Sequence, residues 1–158
     1  MDLETELLAI LAAFDRSGID YALCGGLAVT IHGFARTTED IDVLIQRSDQ
    51  EEALRILESL GFSHDAGSIP LRQGTPTETL IRRVSKIAGA ELLTVDLILV
   101  YPAYESIWNT AVRVALGDRE IVVVSIEGLA AMKRMSGRPR DLLDLQQLGL
   151  TDDPPADS

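Results

Sequence analysis

The sequence predicts an α/β fold, and three observations carry that prediction. Helical and strand patterns alternate from residue 2 to residue 60. Two pairs of strand patterns joined by glycine-containing turns follow, at 79–100 and 112–124, and two helical patterns, 126–135 and 140–148, close the chain. Such alternation places strands in a sheet covered by helices. With 158 residues, one domain over 1–150 is expected, and the acidic, proline-bearing stretch 151–158 reads as a disordered tail.

Composition narrows the function classes. An apolar fraction of 46% indicates a folded core. No apolar run approaches the roughly 18 residues of a membrane span, and the start, Met1-Asp-Leu-Glu, lacks the basic segment of a signal peptide, so a cytoplasmic protein without membrane association is expected. The net charge of −11 argues against broad nucleic-acid binding, which depends on lysine and arginine neutralising phosphates. The single cysteine, Cys24, ends an apolar strand pattern and reads as a buried small residue.

In chain order, residues 2–17 form an amphipathic helical pattern, with Leu3, Leu7, Leu8, Ile10, Leu11 and Phe14 on one face and Gly18 as its stop. A short strand, 21–24, runs into Gly25-Gly26, and a small-residue helix, 27–31, ends at Gly33. The second strand alternates Ile41, Val43 and Ile45 with Asp40, Asp42 and Leu44. Ser48, with Glu51 three residues on, has the spacing of a capping box for the helix carrying Ala53, Leu54, Ile56, Leu57 and Leu60. Gly67, Pro70, Gly74 and Pro76 then break any long element, so 62–76 reads as a loop with one short strand. Strands at 79–87 and 92–100 flank Ala88-Gly-Ala-Glu91 as a hairpin. A short helix, 103–111, holds Trp108, and a second hairpin turns at Gly117-Asp118. Pro139 suits the first turn of the last helix.

The chemistry concentrates in the second strand. Asp40 and Asp42 share one face, about 7 Å apart along the backbone, and repel unless a cation lies between them. The glycine pair opening a helix offers bare N–H groups and a positive dipole end to phosphate. Asp96 is the one charge in the apolar run 92–100. Two readings stand for it: a structural one, as a salt bridge to Arg82 or Arg83 or an edge position facing water, and a functional one, as the third carboxylate of a hard oxygen site. Three such carboxylates suit Mg²⁺ bridging a nucleotide, and two ions clamp the attacking and leaving oxygens of an in-line displacement.

Taken together, Gly25-Gly26, Asp40-Ile-Asp42 and a separate strand Asp96 resemble the polymerase-beta-type nucleotidyltransferase superfamily. Arg36-Thr-Thr-Glu-Asp-Ile-Asp42, Leu129-Ala-Ala-Met-Lys133 and Arg138-Pro-Arg-Asp-Leu-Leu-Asp144 resemble its abortive-infection AbiEii-type branch and small relatives of it, across residues 20–148. The resemblance implies a nucleotidyltransferase-like fold, a mixed β-sheet flanked by helices with further helices at the C-terminus. It also implies an Mg²⁺-dependent transfer of a nucleoside monophosphate from an NTP to an acceptor.

By the same resemblance Asp40, Asp42 and Asp96 hold two Mg²⁺ ions, Gly25 and Gly26 line the triphosphate, and Lys133 places a charge on phosphate. Arg140-Asp141 match the family's late Arg-Asp pair, although Asp141 in a first helical turn is equally a favourable dipole charge. Arg36 either reaches the triphosphate or pairs with Glu39 or Asp40. His32 reads as a capping or hydrogen-bonded histidine, and Arg82, Arg83 and Lys86 as a solvated face or the lining of an acceptor groove. Gly25-Gly26 stands where many active members carry Gly-Ser. The acceptor, RNA or a small molecule, is not written in the sequence. An RNA acceptor would suit a toxin–antitoxin or phage-defence setting with a partner protein. Small-molecule adenylylation, as in antibiotic-modifying relatives, shares the core, and the acidic charge suits a cationic acceptor. A non-catalytic nucleotide- or protein-binding relative is the contrasting class, and the intact acidic triad speaks against it.

Overall fold

In the computed structural model, which describes residues 1–33 and 40–149, the first apolar stripe becomes helix α1 (Leu3–Arg16), burying Leu7, Ile10, Leu11 and Phe14. Asp2 caps it, accepting from the Thr5 N–H at 3.0 Å. Strand β1 (Ala22–Cys24) leads directly into α2 (Gly25–Ile31), so the glycine pair forms the first turn of that helix rather than preceding it. β2 (Asp40–Ile45) and α3 (Gln50–Ser59) come next, then β3 (His64–Leu71), β4 (Thr79–Ala88) and β5 (Glu91–Leu99). The short α4 (Glu105–Asn109), the hairpin β6 (Val112–Leu116) and β7 (Arg119–Val123), α5 (Ile126–Ser136) and α6 (Pro139–Leu148) complete the chain.

These strands form one mixed sheet in the order β3-β4-β5-β2-β1-β7-β6. β2 runs parallel to β5 and β1 parallel to β7, while the other neighbours are antiparallel. One face carries Ile41, Val43, Val84 and Val95 into the core, with α1 against it, where Glu6 receives Lys86 at 2.9 Å. The other face carries the even-numbered residues of β2 and β5. Helix α5 begins at Ser125, whose Oγ accepts from the Gly128 N–H at 3.0 Å, and ends at Gly137 in a left-handed conformation. No helix among the described residues is long and apolar enough to cross a membrane.

Two expectations fail locally. Ser48 does not cap α3: residues 47–49 wind into a 3-10 turn, and the helix starts at Gln50 from Asp49 without a side-chain cap. Continuous winding puts Ser48 inside the turn, so the Ser48–Glu51 spacing no longer matches a capping box. The stretch 62–76 also contains more strand than expected. β3 is eight residues long, because Gly67 (φ +81°) sits at a β-bulge and Pro70 lies on the outermost strand, where a missing N–H is tolerated. The tail 151–158 and Arg36 lie outside the described residues.

Candidate active site

Register assembles the site. Asp42 on β2 stands opposite Asp96 on parallel β5, Asp96 stands opposite Arg83 on β4, and Asp42 stands opposite Cys24 on β1. Asp40, two residues before Asp42, shares its face and pairs in register with Thr94. Gly25, Gly26, Asp40, Asp42, Asp96, Lys133 and Asp141 all line one cavity of about 880 Å³, with β3, β4 and β5 forming its far wall and α5 and α6 its rim.

Gly25 is fixed by sterics. Its φ is +65°, and a Cβ there would stand 2.1 Å from Asp42 Oδ2, so the first turn of α2 closes directly onto the carboxylate. Behind Asp42, burial pushes the Cys24 thiol well above its usual value, reinforced by the negative charges of Asp42 and Asp96, so it stays a neutral thiol. His32 contacts the Val124 carbonyl through Nε2 at 2.8 Å, the hydrogen-bonded role expected for it.

Asp96 is buried, 6% exposed, on a central strand, which removes the edge reading. Arg83 donates to both its oxygens, from Nε at 2.8 Å and from the terminal nitrogen at 3.0 Å, and the carboxylate raises the Arg83 pKa through these bonds and its charge. Arg82 points to the opposite face and reaches Asp65 at 2.6 Å, while Lys86 reaches Glu6. The basic cluster is therefore divided between the two faces of the sheet, and only Arg83 faces the cavity. Among the described residues, no three His, Cys, Asp or Glu side chains stand close enough to form a ready-made metal-ligand set. The carboxylates have hard-oxygen chemistry that fits Mg²⁺, but the oxygens of Asp96 are engaged by Arg83.

The helical side of the cavity holds a second charged group. Lys133 of α5 is 5% exposed, and its Nζ lies 3.7 Å from Asp141 Oδ1 on α6. Asp141 also accepts from Arg138 Nε at 2.7 Å and from Ser136 Oγ. Burial alone would raise its carboxyl, but the hydrogen bonds from Arg138 and Ser136 and the charges of Arg138 and Lys133 outweigh it and hold the pKa below the usual carboxylate value. The arginine bonded to Asp141 is Arg138, the residue that precedes the first turn of α6. Sequence reasoning also missed Arg72 (φ +50°), whose Nε donates to the Thr77 carbonyl and Oγ1 at 3.2 and 3.1 Å and whose terminal nitrogen donates to the Tyr104 hydroxyl.

Comparison with known proteins agrees with this architecture. A lincosamide antibiotic adenylyltransferase in complex with lincomycin superposes with a TM-score of 0.58 at 20% identity, over 94% of this chain and 98% of that one. The ANT(2'')-Ia enzyme in complex with adenylyl-2''-tobramycin gives 0.56 at 17% identity, over 91% and 86%. A Thermotoga maritima protein described as a candidate nucleotidyltransferase gives 0.55 at 15%, over 93% and 94%. The fold is thus nucleotidyltransferase-like, as the sequence implied. No curated protein sequence matches the chain. The aminoglycoside-2''-adenylyltransferase profile matches residues 6–148, whereas the AbiEii-type branch finds no support in these matches. The chain belongs to the aminoglycoside-2''-adenylyltransferase family and is a nucleotidyltransferase.

Proposed function

We propose that this protein is an Mg²⁺-dependent nucleotidyltransferase that moves a nucleoside monophosphate from an NTP to a hydroxyl group of a small-molecule acceptor. The observation that carries the reading is the register of Asp42 opposite Asp96, with Asp40 on the same face and Gly25 closed against Asp42, all in one cavity. Asp40, Asp42 and Asp96 would hold the metal, with Asp96 exchanging Arg83 for the ion. Bound there with the NTP, Mg²⁺ supplies Lewis-acid polarisation of the α-phosphate and neutralises the leaving pyrophosphate.

The chain's own residues do the rest. Gly25 and Gly26 let the phosphates approach the first turn of α2 without a Cβ in the way. Lys133, held by Asp141, places a buried positive charge toward phosphate, and Asp141 acts through it as a positioning residue. The acceptor oxygen attacks the α-phosphorus, and the bond from that phosphorus to the oxygen bridging to the β-phosphate breaks. Pyrophosphate leaves, and the hydroxyl proton passes to water. A small-molecule acceptor accords with the family and with the relatives bound to lincomycin and tobramycin. Neither an RNA acceptor nor a toxin or antitoxin partner gains support from them, and the charge of −11 disfavours RNA.

The Arg83–Asp96 pair favours a second reading, a non-catalytic nucleotide-binding protein in which an internal guanidinium replaces a metal. Calorimetric titration of the four NTPs with and without Mg²⁺ separates the two. Metal-dependent binding and pyrophosphate release on adding an acceptor support transfer, and metal-independent binding without turnover supports the second reading.

A further inference from the structure

Beyond the carboxylates, the cavity has a wall whose chemistry selects the acceptor. Ile69, Ile81 and Ile98 fall in one register row across β3, β4 and β5, all on the cavity face and only half-buried. Ile98 belongs to a central strand, where a large aliphatic side chain left partly open calls for an apolar partner. The row lies on the far side of Asp96 from Gly25. With phosphates at the glycine end, that row faces the acceptor. This step rests on the transfer reading above.

Charge points the same way. Among the described residues, the cations lining the cavity are Arg72, Arg83, Lys133, Arg138 and Arg140. Among the described residues its carboxylates are Asp40, Asp42, Asp96 and Asp141. Asp141 is matched by Arg138 and Lys133, while Asp40, Asp42 and Asp96 are assigned to the metal, which leaves the charge of Arg83 to the wall. Arg72 and Arg83 sit beside the isoleucine row and would repel ammonium groups. The acidic net charge of the chain, which by itself suits a cationic acceptor, is not concentrated on this wall.

We propose that the acceptor is a hydroxylated small molecule with a mainly apolar body seated on Ile69, Ile81 and Ile98, and not a polycation. Lincomycin, a hydroxylated sugar joined to an apolar arm that carries a single basic amine, and tobramycin, a polyamine, serve as probes of a mainly apolar acceptor and a polycationic one. Each is titrated by calorimetry into the wild-type protein, Ile69→Thr and Ile81→Thr, with an Mg²⁺–ATP titration of every variant alongside. Threonine keeps the β-branch and the strand preference, so folding is preserved. Lincomycin is expected to bind at least 10-fold more tightly than tobramycin. Each substitution is expected to weaken lincomycin binding about 5-fold, the effect of losing one to two buried methylenes, and to leave Mg²⁺–ATP binding unchanged. Tobramycin binding as tightly as lincomycin, undetectable lincomycin binding, or variants that bind lincomycin like wild type overturns the proposal. NTP binding with tobramycin preferred overturns this proposal alone. Lincomycin binding lost in the variants, in a protein that binds no NTP, overturns the transfer reading instead and leaves a small-molecule site.

Discussion

Replacing Gly25 with alanine tests the tightest contact in the site. The residue sits at φ +65°, and the new methyl would meet Asp42 Oδ2 at 2.1 Å, Cγ at 2.8 Å and Cβ at 2.9 Å. The left-handed backbone costs an alanine about 1–3 kcal/mol. Moving the Asp42 side chain off its rotamer adds about 0.5–1.5 kcal/mol, giving about 2–4 kcal/mol in all. For a domain of this size that lowers Tm by about 5–15 °C. Urea denaturation and thermal melting of Gly25→Ala measure the loss directly. The displaced carboxylate is also expected to weaken Mg²⁺–NTP binding at least 10-fold under conditions where the variant is fully folded. A variant within 0.5 kcal/mol of wild type that binds NTP normally would refute the close packing of α2 on Asp42.

Three further outcomes follow from the same geometry. Arg83→Gln removes a bidentate partner from buried Asp96 and is expected to destabilise the protein by about 1–2 kcal/mol in urea. Millimolar Mg²⁺ should restore more stability to that variant than to wild type. Asp141 has a folded pKa below its unfolded value of 3.8, so its contribution is present above pH 3.8 and is lost as pH falls through the folded value. Asp141→Asn should therefore flatten the acid limb of the stability profile and also remove one carboxylate from beside buried Lys133, at a cost of about 1–3 kcal/mol at pH 7. Cys24, fully buried and held neutral, should react with a thiol reagent at pH 7–8 only at the rate of unfolding, and rapid labelling in native buffer would contradict its placement.

Legibility followed the range of the interactions. Amphipathic α1 and the β4–β5 hairpin were readable because their periodicity is local, and both appear within a residue or two of the expected bounds. β3 was hidden because Gly67 and Pro70 look like breakers until a bulge and an outer-strand position accommodate them. The order β5-β2-β1-β7 joins strands distant in sequence, so only the folded chain reveals that Asp42 faces Asp96. Strand alternation separated Arg82 from Arg83 but could not choose which one meets Asp96, since that depends on the face presented to the cavity. The bond of Arg138 to Asp141 depends on how the chain enters α6, which a motif match to Arg140-Asp141 does not describe. The isoleucine row was invisible because Ile69, Ile81 and Ile98 read individually as ordinary strand residues.

The central claim is that Asp42 anchors a metal-dependent nucleotide site, and calorimetry of the four NTPs into wild type and Asp42→Asn, each with and without Mg²⁺, tests it most directly. The account predicts saturable NTP binding that requires Mg²⁺ in the wild type and disappears in Asp42→Asn while the fold remains intact by circular dichroism. NTP binding of equal strength without Mg²⁺, or binding unchanged in Asp42→Asn, would contradict it.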